Sequence, residues 1–242
     1  VVTCPRAGCG SPAATAGALA LLPGRVAQAQ SSVIDLQRPP AGTTRWRRSE
    51  QPAVPLSGFY APAGDFTGDG LADLAFLTVD GAALGVVAGR AAFPAFLDPI
   101  AEAQRRGRRY ALDAADGLRV ASLGDIDGDG FGDLGVLRGA PAARQIELLY
   151  GTASGSPRRG ALVAPAALQP LSLARVPGLG RIRGAANPDS FEVILGDGRR
   201  AIVFGAASLP ASLDLGALGG QGMYLSVAHG LTGETASLAA LG

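Results

Sequence analysis

The sequence contains no lysine, two cysteines and a single histidine in 242 residues. A zinc site needs more nitrogen and sulfur ligands than Cys4, Cys9 and the distant His229 can supply. Aromatic residues make up 5% of the chain, charged residues make up 17%, and the net charge is +1. Arginines cluster at positions 45–48 and 105–109, but no aromatic array interleaves with them. We therefore interpret these clusters as solvated turns and expect no nucleic-acid partner.

Glycine and proline are abundant, with 36 Gly and 17 Pro. Both residue types disfavour helix interiors, so long helices are not expected. The composition instead favours many short strands joined by turns, which predicts an all-β fold.

The first 29 residues differ from the rest of the chain. Arg6 precedes an apolar run at positions 13–22, and a Pro-Gly pair then leads to the small-x-small sequence Ala27-Gln28-Ala29. This order predicts a secretory signal peptide over residues 1–29, with a disordered, Ala-rich leader as the alternative. The run is too short to span a membrane. We therefore expect a secreted or cell-surface protein whose mature chain lacks both cysteines.

Three sequence markers recur in one order at a period of 54 to 62 residues. The first is a Gly-Asp opening at Gly64 and Gly124, with a degenerate copy at Gly180. The second is an apolar run that ends in Gly89, Gly151 and Gly205. The third is "FPAFLD" (Phe93 to Asp98) and "LPASLD" (Leu209 to Asp214), which lie two periods apart. Such periodicity is typical of repeat architectures.

Each repeat carries the pattern of four short strands. In order, they are one strand before the acidic loop, one directly after it, the run ending in Gly, and a fourth after a Pro-bearing link. Four antiparallel strands in about sixty residues form one propeller blade. The sequence thus predicts a β-propeller with about three blades in residues 55–242 and a linker or partial blade in residues 30–54. Because "TASLAALG" at the end matches "RVASLG" before the second loop, we expect a fragment cut at a repeat boundary.

Two acidic loops place oxygen-bearing side chains at alternate positions. The predicted ligands are Asp65, Thr67, Asp69, Asp73 and the Leu71 carbonyl in the first loop, and Asp125, Asp127, Asp129, Asp133 and the Phe131 carbonyl in the second. Five or six hard oxygens around one point suit Ca²⁺ better than Mg²⁺. An EF-hand would need Glu at position twelve, where Phe76 and Val136 stand. We therefore predict two structural calcium sites outside the EF-hand class.

The third copy of the loop offers Arg181, Arg183, Ala185 and Asp189 at the corresponding positions. Two cations would repel Ca²⁺, so the sequence predicts no third site. Either an arginine replaces the ion by pairing with Asp189, or the loop has simply lost its metal.

The loops "GDIDGDGFGDLGV" and "GDFTGDGLADLAF" resemble the FG-GAP repeat of integrin α-subunit propellers and of many bacterial secreted proteins. The second of these departs from the pattern only at Thr67, which keeps an oxygen but loses a charge. The resemblance covers residues 55–242. It implies a seven-bladed β-propeller with calcium bound in hairpins at the blade rim.

No nucleophile with an adjacent base and no carboxylate pair is recognisable, so the sequence does not predict an enzyme. We expect an extracellular calcium-binding module for adhesion or for binding a protein or glycan. The alternatives are an accessory propeller of a secreted hydrolase or lyase, and a spacer within a larger surface protein. Open blade edges should also make the isolated chain self-associate.

Overall fold

The computed structural model describes residues 2–4, 18–21, 44–46, 60–78, 81–112, 117–140, 143–154, 156–165, 168, 170–175, 183–184 and 187–225. In this part of the chain, β-strands dominate and are joined by one α-helix and one short 3-10 helix. The predicted all-β class is confirmed. No helix in the described ranges is long and apolar enough to cross a membrane.

The strands form four sheets. Sheet I contains β1 (Val2–Cys4), β2 (Ala18–Leu21), β3 (Thr44–Trp46) and β7 (Phe96–Leu97). Sheet II contains β4 (Tyr60–Gly64), β5 (Asp73–Leu77), β6 (Ala83–Val87) and β8 (Arg108–Ala111). Sheet III contains β9 (Gly117–Gly124), β10 (Asp133–Arg138), β11 (Gln145–Leu149), β12 (Arg159–Val163) and β16 (Ser212–Asp214). Sheet IV contains β13 (Pro170–Arg175), β14 (Phe191–Leu195), β15 (Arg200–Val203) and β17 (Gly222–Leu225).

Sheets II, III and IV repeat one design. In each sheet, the four strands of one repeat pair antiparallel in chain order. Only the sheet II repeat also carries a described α-helix, α1 (Pro99–Arg105), which directly precedes β8. The four strands predicted for each repeat are therefore confirmed. The sheets are open in the described part of the chain, since none closes on itself as a barrel.

The middle strands of sheets II and III are buried on both faces, whereas β14 of sheet IV alternates buried and half-buried residues. Every residue of β5, β6 and β10 is buried, including the charged residues Asp73, Asp133 and Arg138 at strand ends. This burial explains why the interiors of these strands are continuously apolar instead of alternating. Phe66 and Leu84 of the sheet II repeat share a core with Val136 of sheet III. Ile146 of sheet III shares the next core with Phe191 of sheet IV. The sheets are thus stacked face to face, and β9 lies between β4 and β13.

The third sequence marker links consecutive sheets. Its two copies contain β7 and β16, and each pairs in parallel with the outer strand of the preceding sheet, β3 or β12. The final aspartate of each copy shapes the chain that follows. Asp98 caps α1 by accepting from Ile100 N–H, and Asp214 accepts from Gly216 N–H. The pattern alone predicted only a loose link here.

Strands β1 and β2 fall within the predicted leader, and β3 falls within residues 30–54. In sheet I, β2 pairs antiparallel with both β1 and β3. The signal peptide remains a prediction.

Candidate metal centre

The two acidic loops connect the first and second strands of sheets II and III. Each loop contains two glycines with positive φ: Gly68 at 74° and Gly70 at 82°, then Gly128 at 81° and Gly130 at 91°. Residues other than glycine rarely adopt a positive φ, so glycine is required at these bends. The bends direct backbone N–H groups at the first aspartate of each loop. Asp65 accepts from Asp69 and Gly70, and Asp125 accepts from Gly128 and Gly130.

The last aspartate of each loop ties the loop to the third strand. Asp73 accepts from Thr67 N–H at 2.7 Å and from Gly89 N–H at 2.7 Å. Asp133 accepts from Ile126 N–H at 2.7 Å and from Gly151 N–H at 2.8 Å. Two markers that the sequence showed as separate are therefore one hydrogen-bonded unit.

The glycine two residues after the third strand is required because another backbone segment approaches it closely. A Cβ at Gly89 would lie 2.6 Å from the Ala72 carbonyl oxygen, and one at Gly151 would lie 2.4 Å from the Gly132 carbonyl oxygen. These distances are shorter than any real Cβ contact. The same approach recurs at Gly205, which explains why the marker persists in the repeat with the degenerate loop.

The second loop brings three carboxylates together. Oxygens of Asp125, Asp127 and Asp133 lie within 4.8 Å of one another, the one such group of acidic side chains in the described part of the chain. Asp133 is fully buried. Burial, followed by repulsion from Asp127 and Asp129, raises the pKa of Asp133 to about 8. A divalent cation at this point would oppose both effects.

Asp129, the fourth predicted carboxylate, is exposed and lies outside this group. Partial desolvation of the carboxylate raises the pKa of Asp129, and repulsion from Asp127 and Asp125 raises it further. Its Oδ1 accepts from Phe131 N–H at 2.9 Å. The sequence prediction thus contained the group of three, together with one residue that the structure keeps apart from it.

The first loop is more open. Asp65, Asp69 and Asp73 are all within the described ranges, but they do not form a comparable group. Leu71 is 43% exposed, and its N–H donates to Asp69 as the Phe131 N–H donates to Asp129. Burial raises the pKa of Asp73.

Sequence reasoning missed an arginine beside each loop. Arg158 donates to Asp127 Oδ2 at 2.8 Å and stacks 3.6 Å from the centre of the Tyr150 ring. Arg108 instead donates to backbone carbonyls, at 3.1 Å to Thr67 and 2.6 Å to Thr152. The available signal was an arginine beside the start of the fourth strand: Arg108 begins β8, and Arg158 directly precedes β12. In the second loop the guanidinium therefore pairs with a candidate carboxylate ligand, whereas Arg108 contacts backbone carbonyls beside the first loop.

Both loops also form the joint with the next sheet. Gly132 N–H donates to the Asp65 carbonyl at 3.1 Å, and Asp189 N–H donates to the Asp125 carbonyl at 2.8 Å. A second pair of bonds follows one residue later in each loop, to the carbonyls of Phe66 and Ile126. The same docking therefore occurs twice, once between sheets II and III and once between sheets III and IV.

The predicted alignment of the third loop was wrong by one residue. Phe191 pairs with Val203 in sheet IV at the position where Leu134 pairs with Leu149 in sheet III. Ser190, the residue before Phe191, therefore takes the place of Asp133, the residue before Leu134. Asp189 instead occupies the place of Gly132, and its Oδ2 accepts from Asp125 N–H at 3.2 Å. The sequence did not reveal this strand register because the third loop differs in length from the first two loops.

The other predicted residues of the third loop are only partly covered. Arg181 and Ala185 lie outside the described residues. Arg183 lies 5.8 Å from the centre of the Phe204 ring.

The donor chemistry of the second loop fits a hard divalent cation. All its candidate side-chain ligands are carboxylate oxygens, and one of them is buried and short of counter-charge. No model of a known protein family matches the chain, and no curated protein matches it either.

Proposed function

We propose that this chain is a non-catalytic, calcium-stabilised repeat module of an extracellular protein. Sheets II, III and IV are consecutive blades of a β-propeller of the FG-GAP type, within a ring of about seven blades. Their identical strand order and the neighbouring positions of β4, β9 and β13 support this arrangement. Adhesion, or binding of a protein or glycan, is the function that such a module serves.

The observation that carries the proposal is the second loop, where three carboxylates converge at the joint between two sheets. Asp125, Asp127 and Asp133 would hold the ion, and Asp65, Thr67, Asp69 and Asp73 would hold a second ion in the first loop. Calcium supplies charge neutralisation there and performs no chemical step. Because Asp125 also binds the next sheet through its backbone, the ion would stiffen the contact between blades.

A groove of about 680 Å³ runs between β4 and β9. Tyr60, Pro62, Val120 and Phe131 give it an apolar wall, and Ser122 and Asp189 add polar groups. These described lining residues include no histidine or cysteine and no nucleophile paired with a base. This chemistry supports binding of a ligand more than catalysis.

Calorimetric titration with calcium tests the proposal directly. We expect saturation at two ions per chain, with dissociation constants of about 0.1 to 1 mM, as in many extracellular calcium modules. The second loop should bind more tightly because three of its carboxylates already converge, whereas those of the first loop form no comparable group. Magnesium should compete weakly. A third site of similar affinity, or no heat of binding at all, would contradict the proposal.

Arg158 should weaken calcium binding in the second loop. Its guanidinium neutralises Asp127 and is 47% exposed, so Arg158→Gln should raise the calcium affinity of this loop by about threefold to tenfold. Arg200→Gln, which removes a comparable ion pair with Glu192 in sheet IV, is the matched control and should leave calcium affinity unchanged. Calorimetry on both variants gives the answer. Equal affinities would mean that Asp127 does not bind the ion.

A further inference from the structure

The outer strands β3, β8, β12 and β17 differ in what covers their free edges. β3 pairs with β7 and β12 pairs with β16, so each receives a parallel strand from the repeat that follows. β8 receives no strand among the described residues. Its Ala111 carbonyl instead accepts a hydrogen bond of 2.9 Å from the Arg159 guanidinium, again from the following repeat. β17 alone among these four outer strands has no such contact within the described ranges.

The β12–β16 pair shows the chemistry of this contact. Ala161 N–H donates to the Ala211 carbonyl at 2.9 Å, and Leu215 N–H donates to the Val163 carbonyl at 2.7 Å. Leu213 and Leu215 are buried in the core between sheets III and IV. Backbone pairing sets the parallel register, and the two leucines supply apolar burial.

Strand β17 presents the same groups without a partner. Phe204 N–H donates to the Gln221 carbonyl in sheet IV, as Tyr150 N–H donates to the Arg158 carbonyl in sheet III. Gln221 therefore corresponds to Arg158, and Tyr224, three residues later, corresponds to Ala161. The Tyr224 N–H and carbonyl therefore point away from β15, along the free edge.

The side chains agree with this assignment. Met223 stands where sheet III has the buried Gly160, yet Met223 is 45% exposed. A strand edge with unpaired backbone N–H and carbonyl groups can accept another strand.

We propose that the free edge of β17 is a docking site for an extended segment with the pattern Leu-Pro-x-x-Leu-x-Leu. The segment comes from a further repeat of this type and pairs in parallel, as β16 pairs with β12. The chain itself shows this kind of occupant: the segment 209–215, which has the pattern, covers β12, and the related segment 93–98, which begins Phe-Pro, covers β3. The proposal is independent of calcium.

A peptide of residues 208–216 (SLPASLDLG) is the probe. The full chain carries Cys4→Ser, Cys9→Ser and Met223→Cys, and the peptide carries Ala211→Cys. Ala161 pairs with Ser212, so residue 211 of a bound peptide should lie opposite Met223. We expect a disulfide between the two under mild oxidation. A peptide that also carries Leu213→Asp and Leu215→Asp should cross-link at least about tenfold less.

Fluorescence anisotropy with a labelled peptide then tests the backbone contact. Tyr224→Pro removes the outward N–H and should weaken binding by about tenfold or more. Tyr224→Phe keeps that N–H and loses only the hydroxyl bond to Leu215, so binding should persist. Equal binding by both variants, with circular dichroism showing that both fold, would overturn the proposal.

Two other occupants give distinct results. A disulfide between Ala161→Cys and a peptide carrying Ser212→Cys would show that the peptide displaces β16 instead. A protein dimer linked through Met223→Cys would show that a second copy of the chain occupies the edge, as the predicted self-association implies. Either result, or absence of binding, overturns the proposal.

Discussion

Replacing Asp133 with alanine is expected to destabilise the fold with or without calcium. The carboxylate is fully buried and accepts from Ile126 N–H and Gly151 N–H. Removing it leaves two buried donors without an acceptor, at a cost of about 2 to 4 kcal/mol. If calcium binds the second loop, a further 1.4 kcal/mol or so is lost when free calcium is about tenfold above the dissociation constant. Thermal melts in calcium and in chelator measure the two parts separately.

Asp133→Asn separates the hydrogen bonds from the charge. The amide oxygen can still accept from one N–H, so the basal loss of stability should be smaller than that of Asp133→Ala. The rise in melting temperature on adding calcium, about 3 to 6 °C for one site, should nevertheless disappear. Asp197→Asn changes an exposed carboxylate outside both loops and should retain the full calcium response. Retention of that response by Asp133→Asn would remove Asp133 from the ligand set.

Gly151→Ala is expected to lower the free energy of unfolding by about 2 to 4 kcal/mol. The new Cβ would lie 2.4 Å from the Gly132 carbonyl oxygen and 3.2 Å from the Phe66 carbonyl oxygen. Both neighbours are backbone atoms, so relief requires movement of the joint between sheets II and III. Chemical denaturation of wild type and variant measures the loss.

Gly220→Ala is the matched control, since a Cβ at Gly220 meets no atom within 4 Å and its φ is not in the left-handed region. It should be neutral or slightly stabilising, because alanine restricts the unfolded chain. A similar small effect of Gly151→Ala would show that the joint is loosely packed.

Local patterns in the sequence were sufficient for the strands of sheets II, III and IV. Apolar runs of four to six residues between Gly- and Asp-rich turns predict strands at residues 74–79, 134–137 and 191–195, close to the observed bounds of β5, β10 and β14. The repeat period also placed the acidic loops correctly between the first and second strands. These features depend on residues near one another in the chain, so their information is local.

The convergence of ligands was predicted less completely. Alternation suggested that four side chains of each loop meet, but the second loop gathers three, and the first loop forms no comparable group. Arg158 approaches Asp127 from 31 residues away, which no spacing rule within the loop could show. The one-residue shift at Ser190 likewise became visible only through strand register.

The sequence by itself determined the strand content, the repeat, and the glycines and aspartates on which each loop depends. Only the tertiary structure decided how one repeat meets the next: the docking of each loop on the following sheet, and the parallel strands β7 and β16. The physical reason is that these contacts are made by backbone groups of distant segments. Backbone N–H and carbonyl groups are almost the same in every residue, so the sequence does not specify their partners until the sheets are packed.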